Sequence, residues 1–445
     1  MKKNYLLGMA LITSLSFYSC DKEVVYVQDG TGVESVADGA QIITLQVENG
    51  GDGLATRAGR PLFSAEAKQT IENVKLWICD NTGKVVYIKE ISDWNTDGST
   101  VYTTGGHGRQ TTIELKGADK LAAGTYKIYA VGYSNSSAYT LTDVTKVAKE
   151  GTFNENMVLP CSTAGEEIFA GQMELTVEQG KGFKKPIVLN RQVAGAFAYV
   201  KDIPFMEGAK YLKLVASAQN QSLVLGNFNS FDLTGNGSGN ANVEYVVNGT
   251  NGKSGSETYV ISTIDLNKWF TAIKDDNGDN LIDAGENWKN PCRPSSSPAA
   301  GTYPTFQKGS AFGGEFVIPF AHVDGKQTLT LQLTNAGGKV LRSWKVNLGS
   351  TDEQLKQTIT CWNSGSTDWS TSLSGELANT YSLVRNHLYG IGTRMNDEAN
   401  PEKPGVDPDP NPENPNDKPE SLNNKQELVL KVNDNWEVIH GMELD

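Results

Sequence analysis

The sequence is short of histidine and of positive charge, and those shortages remove several function classes at once. Its 445 residues include 4 His, at positions 107, 322, 387 and 440, with no two close enough for a local metal or catalytic motif. Lys and Arg number 39 against 52 Asp and Glu, a formal net charge of −13. Nucleic-acid phosphates recruit basic patches, so this balance excludes a nucleic-acid partner. No phosphate-binding glycine loop, nucleophile–base arrangement or clustered His/Cys set is present, and acidic pairs are too abundant to single out a glycosidase dyad. The chain therefore reads as a non-enzyme. No apolar run reaches the roughly 20 residues that a membrane-crossing helix needs. Helical periodicity is scarce as well, and its clearest stretch, Leu266 to Lys274, is brief.

What remains is a β protein. The 46 Gly and 16 Pro, with many Thr, Val and Tyr, favour turns and strands, and a 38% hydrophobic fraction can fill sizeable cores. Short alternating runs recur between Gly, Asn, Asp and Ser clusters: Gln41 to Val47, Lys84 to Ile88, Tyr126 to Val131, Val188 to Val200, Leu212 to Ala216 and Leu329 to Leu333. Strands at this spacing read as sandwiches. The expected fold is all-β with few short helices, as two tandem β-sandwiches over 58–186 and 187–395. The boundary near 186 follows Gly180 to Pro186 and precedes the long Val188 to Val200 run.

The amino terminus sets the compartment. Met1-Lys2-Lys3 is a positive leader, and Leu6 to Phe17 is an apolar run too short to span a bilayer, together a secretory signal over 1–20. Its end, Phe17-Tyr18-Ser19-Cys20, resembles a bacterial lipobox, although Phe17 stands where Leu or Val is usual. That resemblance implies lipidation of Cys20 and an outer-membrane lipoprotein precursor. Four other cysteines allow three pairings. Cys292 and Cys361, both in polar, turn-like surroundings, are the expected disulfide; Cys79 ends an apolar run and equally suits a buried thiol.

Two segments stand apart. Gln41 to Val47 puts Ile43, Leu45 and Val47 on one strand face, and Glu48 to Pro61 follows as a small-residue loop containing Arg57 and Arg60. Such a loop suits proteolysis. A trypsin-like cut after Arg57 separates the first strand from everything downstream, whereas Pro61 blocks a cut after Arg60. Loss of that strand leaves an unpaired apolar sheet edge, a template for strand addition. At the other end, residues 401–419 hold seven prolines among Asp, Asn and Glu. The linker over 396–425 cannot form a ladder, and extended at ~3.1 Å per residue its proline-rich part reaches ~60 Å. Residues 426–445 then return to alternation, with Leu428, Leu430, Val432, Trp436, Val438, Met442 and Leu444. Too small to fold alone, this tail needs a sheet, in its own molecule or in a neighbour. The same residues also suit a plain tether at one end and a solvated stalk at the other.

The chain resembles Bacteroidetes fimbrial subunits of the fimbrillin family along nearly its whole length. The resemblance rests on Cys20, on Ala55-Thr56-Arg57-Ala58, on Leu189-Asn190-Arg191-Gln192-Val193-Ala194 and on Val384-Arg385-Asn386-His387-Leu388-Tyr389. The linker and Trp436-Glu437-Val438-Ile439-His440 resemble the minor fimbrillin branch. The resemblance implies a propeptide over 21–57, with Arg57–Ala58 cut by an Arg-specific surface protease. It also implies polymerisation by donor-strand exchange with other fimbrial subunits, residues 426–445 as donor, and residence at the cell surface in a fimbrium that supports adhesion. Arg191 and Arg385 are then framework residues.

One loop has metal-ligand spacing. Asp275 to Glu286 resembles an EF-hand loop, with Asp275, Asn277, Asp279, Asp283 and Glu286 at its oxygen-ligand positions and the Leu281 carbonyl between them. Asn280 departs from it, standing where Gly is usual. The expectation is a structural Ca²⁺ stiffening an insertion, with no ion as the alternative. Trp269, Trp288, Trp362 and Trp369 lie in or beside polar stretches, which leaves a second function class open: a monomeric surface lipoprotein that binds host or bacterial glycans or proteins.

Overall fold

The structure, a computed structural model, describes residues 39–48, 70–102, 108–226, 245–285, 287–289, 306–320, 329–348, 358–374, 383–394 and 417–432. In chain order the first half holds β1 (Gln41–Glu48), β2 (Asn73–Asp80), β3 (Val85–Ile91), β4 (Thr100–Tyr102), β5 (Gly108–Leu115), β6 (Gly124–Tyr133), α1 (Thr142–Lys146), β7 (Val158–Pro160), β8 (Phe169–Val177) and β9 (Phe183–Arg191). Eight of these strands form one sheet in the order β3-β2-β6-β8-β9-β1-β5-β4. The sheet folds on itself at β8 and β9, which pair only at Phe169↔Arg191 and Ala170↔Asn190. Gly171 makes that corner possible, because a Cβ there would lie 2.1 Å from the Val188 carbonyl oxygen. The two resulting layers enclose a core to which β1, β2, β5, β6, β8 and β9 all contribute. Alternation assigns the faces: in β9, Phe183, Ile187, Leu189 and Arg191 are buried, and Pro186 between them is exposed.

The second half holds β10 (Ala194–Lys201), β11 (Ile203–Pro204), β12 (Ala209–Gln219), β13 (Ser222–Val224), β14 (Tyr245–Val247), β15 (Gly249–Thr250), β16 (Lys253–Asp265), α2 (Leu266–Trp269), β17 (Leu281–Ile282), β18 (Ala311–Val317), β19 (Leu329–Asn335), β20 (Val340–Leu348), β21 (Thr358–Asn363), β22 (Asp368–Ser374), β23 (Leu388–Ile391), β24 (Thr393–Arg394), β25 (Asp417–Lys418), β26 (Glu420–Ser421) and β27 (Glu427–Val432). The main sheet runs β16-β12-β19-β20-β27-β23-β10-β18. It encloses a larger core that includes Phe197, Leu331, Trp344, Leu388 and Leu430. That core also takes in Trp77, Cys79 and Tyr129 from the back of β2 and β6, so the first sandwich packs on the second through its outer face. β7 adds a direct link, pairing with β13 at Leu159↔Leu223. The chain is thus all-β, in tandem sandwiches.

Three expectations change in detail. The alternating run from Val188 to Val200 is two strands, β9 and β10, broken at Gln192 and Val193 where the chain passes between sandwiches. A boundary near 186 would fall inside β9, so the crossing at Gln192 and Val193 lies six or seven residues later. The helix expected from Leu266 to Lys274 stops at Trp269. Asp265 caps it by accepting the Asn267 N–H at 3.0 Å. Phe270 then turns extended and bridges Trp288.

A candidate strand-exchange site

β1 occupies a slot with a wall on each flank. It pairs antiparallel with β5 from Gln41↔Leu115 to Glu48↔Gly108, and parallel with β9 from Gln41↔Phe183 to Val47↔Leu189. Ile43, Leu45 and Val47 are all 0% exposed and pack in one cluster with Trp94, Ile113, Ile187 and Leu189. Burying each such side chain is worth roughly 1.5–3 kcal/mol. Polar contacts locate the strand at both ends. The Gln41 side chain donates to the Leu121 carbonyl at 2.9 Å and accepts the Leu121 N–H at 2.7 Å. Lys120 donates to the Gly39 carbonyl at 2.9 Å, and Gln46 donates to Gln110 at 3.3 Å. Removing β1 would therefore strip a ladder partner from both β5 and β9 and open an apolar trench between them. The expected cut at Arg57–Ala58, and Cys20 upstream, lie outside the described residues.

Downstream of that cut, the chain is fastened by a buried ion pair. Arg191, at the end of β9, donates to Glu167 through Nε at 2.8 Å and Nη2 at 2.6 Å, with both side chains 0% exposed. The other Glu167 oxygen accepts the Thr70 N–H and hydroxyl, each at 2.7 Å. Burial holds the Arg191 pKa below the usual guanidinium range, and the Glu167 carboxylate only partly offsets this. The guanidinium also lies 4.8 Å from the Phe169 ring centroid. Beyond it, buried Gln192 accepts Arg385 Nη1 at 3.3 Å, and Arg385 also donates to the Gly226 carbonyl at 3.1 Å. Asn248 donates to the Gln192 carbonyl at 3.1 Å. Arg191 and Arg385 thus sit on either side of the crossing between sandwiches, a framework position. Sequence reading did not find Glu167: it is one of two adjacent acids in a polar loop, and nothing local marks it as the buried one.

The tail segment lies in the chain's own sheet as far as Val432. β27 pairs parallel with β20, from Lys345↔Glu427 to Leu348↔Leu430, and antiparallel with β23 at Gly390↔Lys431 and Tyr389↔Val432. Leu428 is 2% and Leu430 0% exposed. Leu422, just upstream, is buried too. Trp436, Val438, Met442 and Leu444 lie outside the described residues.

The loop from Asp275 onward is organised by its own carboxylates. Asp275 accepts the N–H groups of Gly278, Asp279 and Asn280 at 2.7, 3.2 and 2.9 Å. Asn277 accepts Asp279 N–H at 2.8 Å, Asp279 accepts Leu281 N–H at 2.8 Å, and Asp283 accepts Gly285 N–H at 2.7 Å. Asn280 has φ +67°, the left-handed conformation that glycine would supply at that position. Leu281–Ile282 pairs with Ile203–Pro204, and Ile282 is fully buried. The loop's base is closed by Thr271 N–H to the Asn287 carbonyl at 3.1 Å and Lys289 N–H to the Trp269 carbonyl at 2.8 Å. This backbone fits a cation loop, but the carboxylates serve amides: no metal-holding group of three or more His, Cys, Asp or Glu forms among the described residues. Glu286 lies outside them.

Of the four tryptophans, Trp269 is buried and Trp288, Trp362 and Trp369 are half-buried. Trp269 is 1% exposed, edge-on to Phe306, and cannot reach solvent. Trp288 donates to the Ser310 carbonyl at 2.6 Å and packs on the core. Trp362 and Trp369 face each other across β21 and β22, edge to face at 5.2 Å, and Trp369 donates to Asn156 at 3.0 Å. Cys361 is a half-buried thiol in β21, with its pKa pushed up to about 11 by burial. Cys292 lies outside the described residues. Cys79 is a buried thiol pushed up to about 12 by the same cause, the inert alternative read for it.

No protein-family model matches the chain, and no curated protein matches it. Among solved structures it is similar to the tip fimbrial protein Mfa3 of Porphyromonas gingivalis with a C-terminal truncation, at 11% identity over 79% of this chain and 93% of that one, TM-score 0.35. It is also similar to the fimbrial anchor protein Mfa2 of the same organism, at 9% identity over 78% and 99%, TM-score 0.31. A fimbrial assembly protein of Parabacteroides distasonis overlaps at 12% identity over 80% and 91%, TM-score 0.34.

Proposed function

We propose that the chain is a structural subunit of a cell-surface fimbrium that supports adhesion, exported as a lipoprotein through Cys20 and matured by an Arg-specific protease at Arg57–Ala58. Assembly follows by strand replacement: β1 leaves its slot, and a strand from another subunit's tail enters. The observation that carries this reading is the placement of β1. It is a central, fully paired strand with an apolar face, and its backbone connection to everything downstream runs through the segment that holds Arg57. A strand so placed can be held firmly before cleavage and become separable after it. Its partners are other fimbrial subunits. The test is electron microscopy of the purified full chain before and after limited trypsin treatment. Filaments or oligomer ladders are expected only after treatment, and a strictly monomeric product would overturn the reading.

The 275–286 loop belongs to the same reading as a stiffening device. One Ca²⁺ would draw Asp275, Asn277, Asp279, Asp283 and Glu286 inward, with the Leu281 carbonyl completing the set. Terbium luminescence from the full chain is expected, and is expected to vanish in the Asp275→Ala plus Asp279→Ala variant. No luminescence from the unaltered chain would mean that the amide hydrogen bonds alone hold the loop.

A further inference from the structure

The Gln41 carboxamide pairs in both directions with one backbone unit, that of Leu121, eighty residues away. Leu121 follows the short turn of Gly117–Asp119 beyond the end of β5. A strand shifted by one residue would present Ala40 or Ile42 there, and all its core residues would face the wrong way. A shift of two keeps the faces but presents Gly39 or Ile43, and both hydrogen bonds are lost. The apolar face alone cannot distinguish registers two residues apart as sharply as this contact does.

The pattern occurs again in the tail. Gln41-Ile42-Ile43-Thr44-Leu45-Gln46-Val47 and Gln426-Glu427-Leu428-Val429-Leu430-Lys431-Val432 share Gln, an aliphatic residue, Leu and Val at alternate positions. Both strands have one parallel and one antiparallel neighbour: β9 and β5 for β1, β20 and β23 for β27. A similar run, Gln327 to Leu333, leads into β19, but β19 is antiparallel to both β12 and β20 and lies mid-chain. At home, Gln426 is exposed and its side chain makes no hydrogen bond among the described residues. β27 is also paired on its β23 flank only at Lys431 and Val432, whereas the β1 slot offers pairing along both flanks.

We propose that the Gln41 carboxamide sets the register of the strand in this slot, and that Gln426 of a second copy of this chain takes over the contact with Leu121 when Gln426–Val432 replaces β1. Leu428, Leu430 and Val432 then occupy the places of Ile43, Leu45 and Val47. The second half rests on the strand-replacement reading above; the first half concerns the uncleaved chain and does not.

Two experiments separate the halves. In hydrogen exchange on the uncleaved full chain, Gln41→Ala is expected to speed exchange of the β1 amides and of Thr111–Leu115 about tenfold, as loss of two hydrogen bonds implies. Unchanged protection in a folded variant would overturn the register role. For the tail, the full chain carrying Glu114→Cys and Glu427→Cys is trypsin-treated and oxidised. Ile42 faces Glu114, so Glu427 of an incoming strand faces it only in the proposed register. An intermolecular disulfide is expected, with its yield cut several-fold by added Gln426→Ala. Oligomers without that disulfide, or a yield indifferent to Gln426, would overturn the second-copy assignment while strand replacement stands. Absence of any oligomer from the native sequence would overturn both, leaving hydrogen exchange to decide Gln41.

Discussion

Arg57→Ala is expected to give a lipidated precursor that stays monomeric and forms no filament, even with protease present. The reason is energetic. Ile43, Leu45 and Val47 are fully buried in the slot. At roughly 1.5–3 kcal/mol each they hold β1 by about 5–9 kcal/mol before any ladder hydrogen bond is counted. Since 1.4 kcal/mol is a factor of ten, the slot of an uncut chain stands open less than about one part in a thousand of the time. A tethered strand also returns faster than a strand from another molecule can arrive, because its effective concentration is of millimolar order. Cleavage after Arg57 would remove the tether and let a released β1 leave the slot. Arg60→Ala is the matched control and should assemble normally, because Pro61 already protects that bond. Native mass spectrometry and electron microscopy read the outcome, and filaments from Arg57→Ala would sink the assignment.

The second large effect is on stability. Arg191→Met leaves the Glu167 carboxylate buried without its cation, and Glu167→Leu leaves the Arg191 guanidinium buried without its carboxylate. Each is expected to cost about 3–5 kcal/mol, a large share of a domain's net stability. The double variant Glu167→Leu plus Arg191→Met should be less destabilised than the sum of the two, because neither charge remains stranded. Urea unfolding of the four proteins measures this directly. Additive losses would show that Glu167 and Arg191 act separately and that the pair does not fasten the crossing.

Much of this was legible in the sequence because strands declare themselves by alternation. Gln41 to Val47, Tyr126 to Val131 and Leu329 to Leu333 all lie within strands, and in Leu329 to Leu333 one buried face imposes the period of two. Asn280 was legible as a stand-in for glycine, because Asn accepts a left-handed backbone. The crossing between sandwiches was not. From Leu189 to Ala194 alternation fades only over Gln192 and Val193, both 0% exposed, and a polar residue buried by Asn248 and Arg385 looks the same in sequence as one facing water. Trp269 misled for the converse reason: polar neighbours in sequence surround a side chain that the fold turns inward. The tail was legible as a strand, but its host sheet was not, because pairing with β20 and β23 joins segments some forty to eighty residues apart.

The parallel pairing of β1 with β9 also bears on mechanical load. Along that boundary the two strands run side by side in the same direction from Gln41↔Phe183 to Val47↔Leu189, with β5 running the other way on the far flank. A force applied along the axis of a strand in this slot is shared by the bonds on both flanks, which must slip together; a force across the axis would open them one at a time. Tension drawn along a file of subunits would meet the slot in its stronger direction, if the seated strand lies along the pull. The geometry that hides three aliphatic side chains from water would then also serve as a tensile coupling.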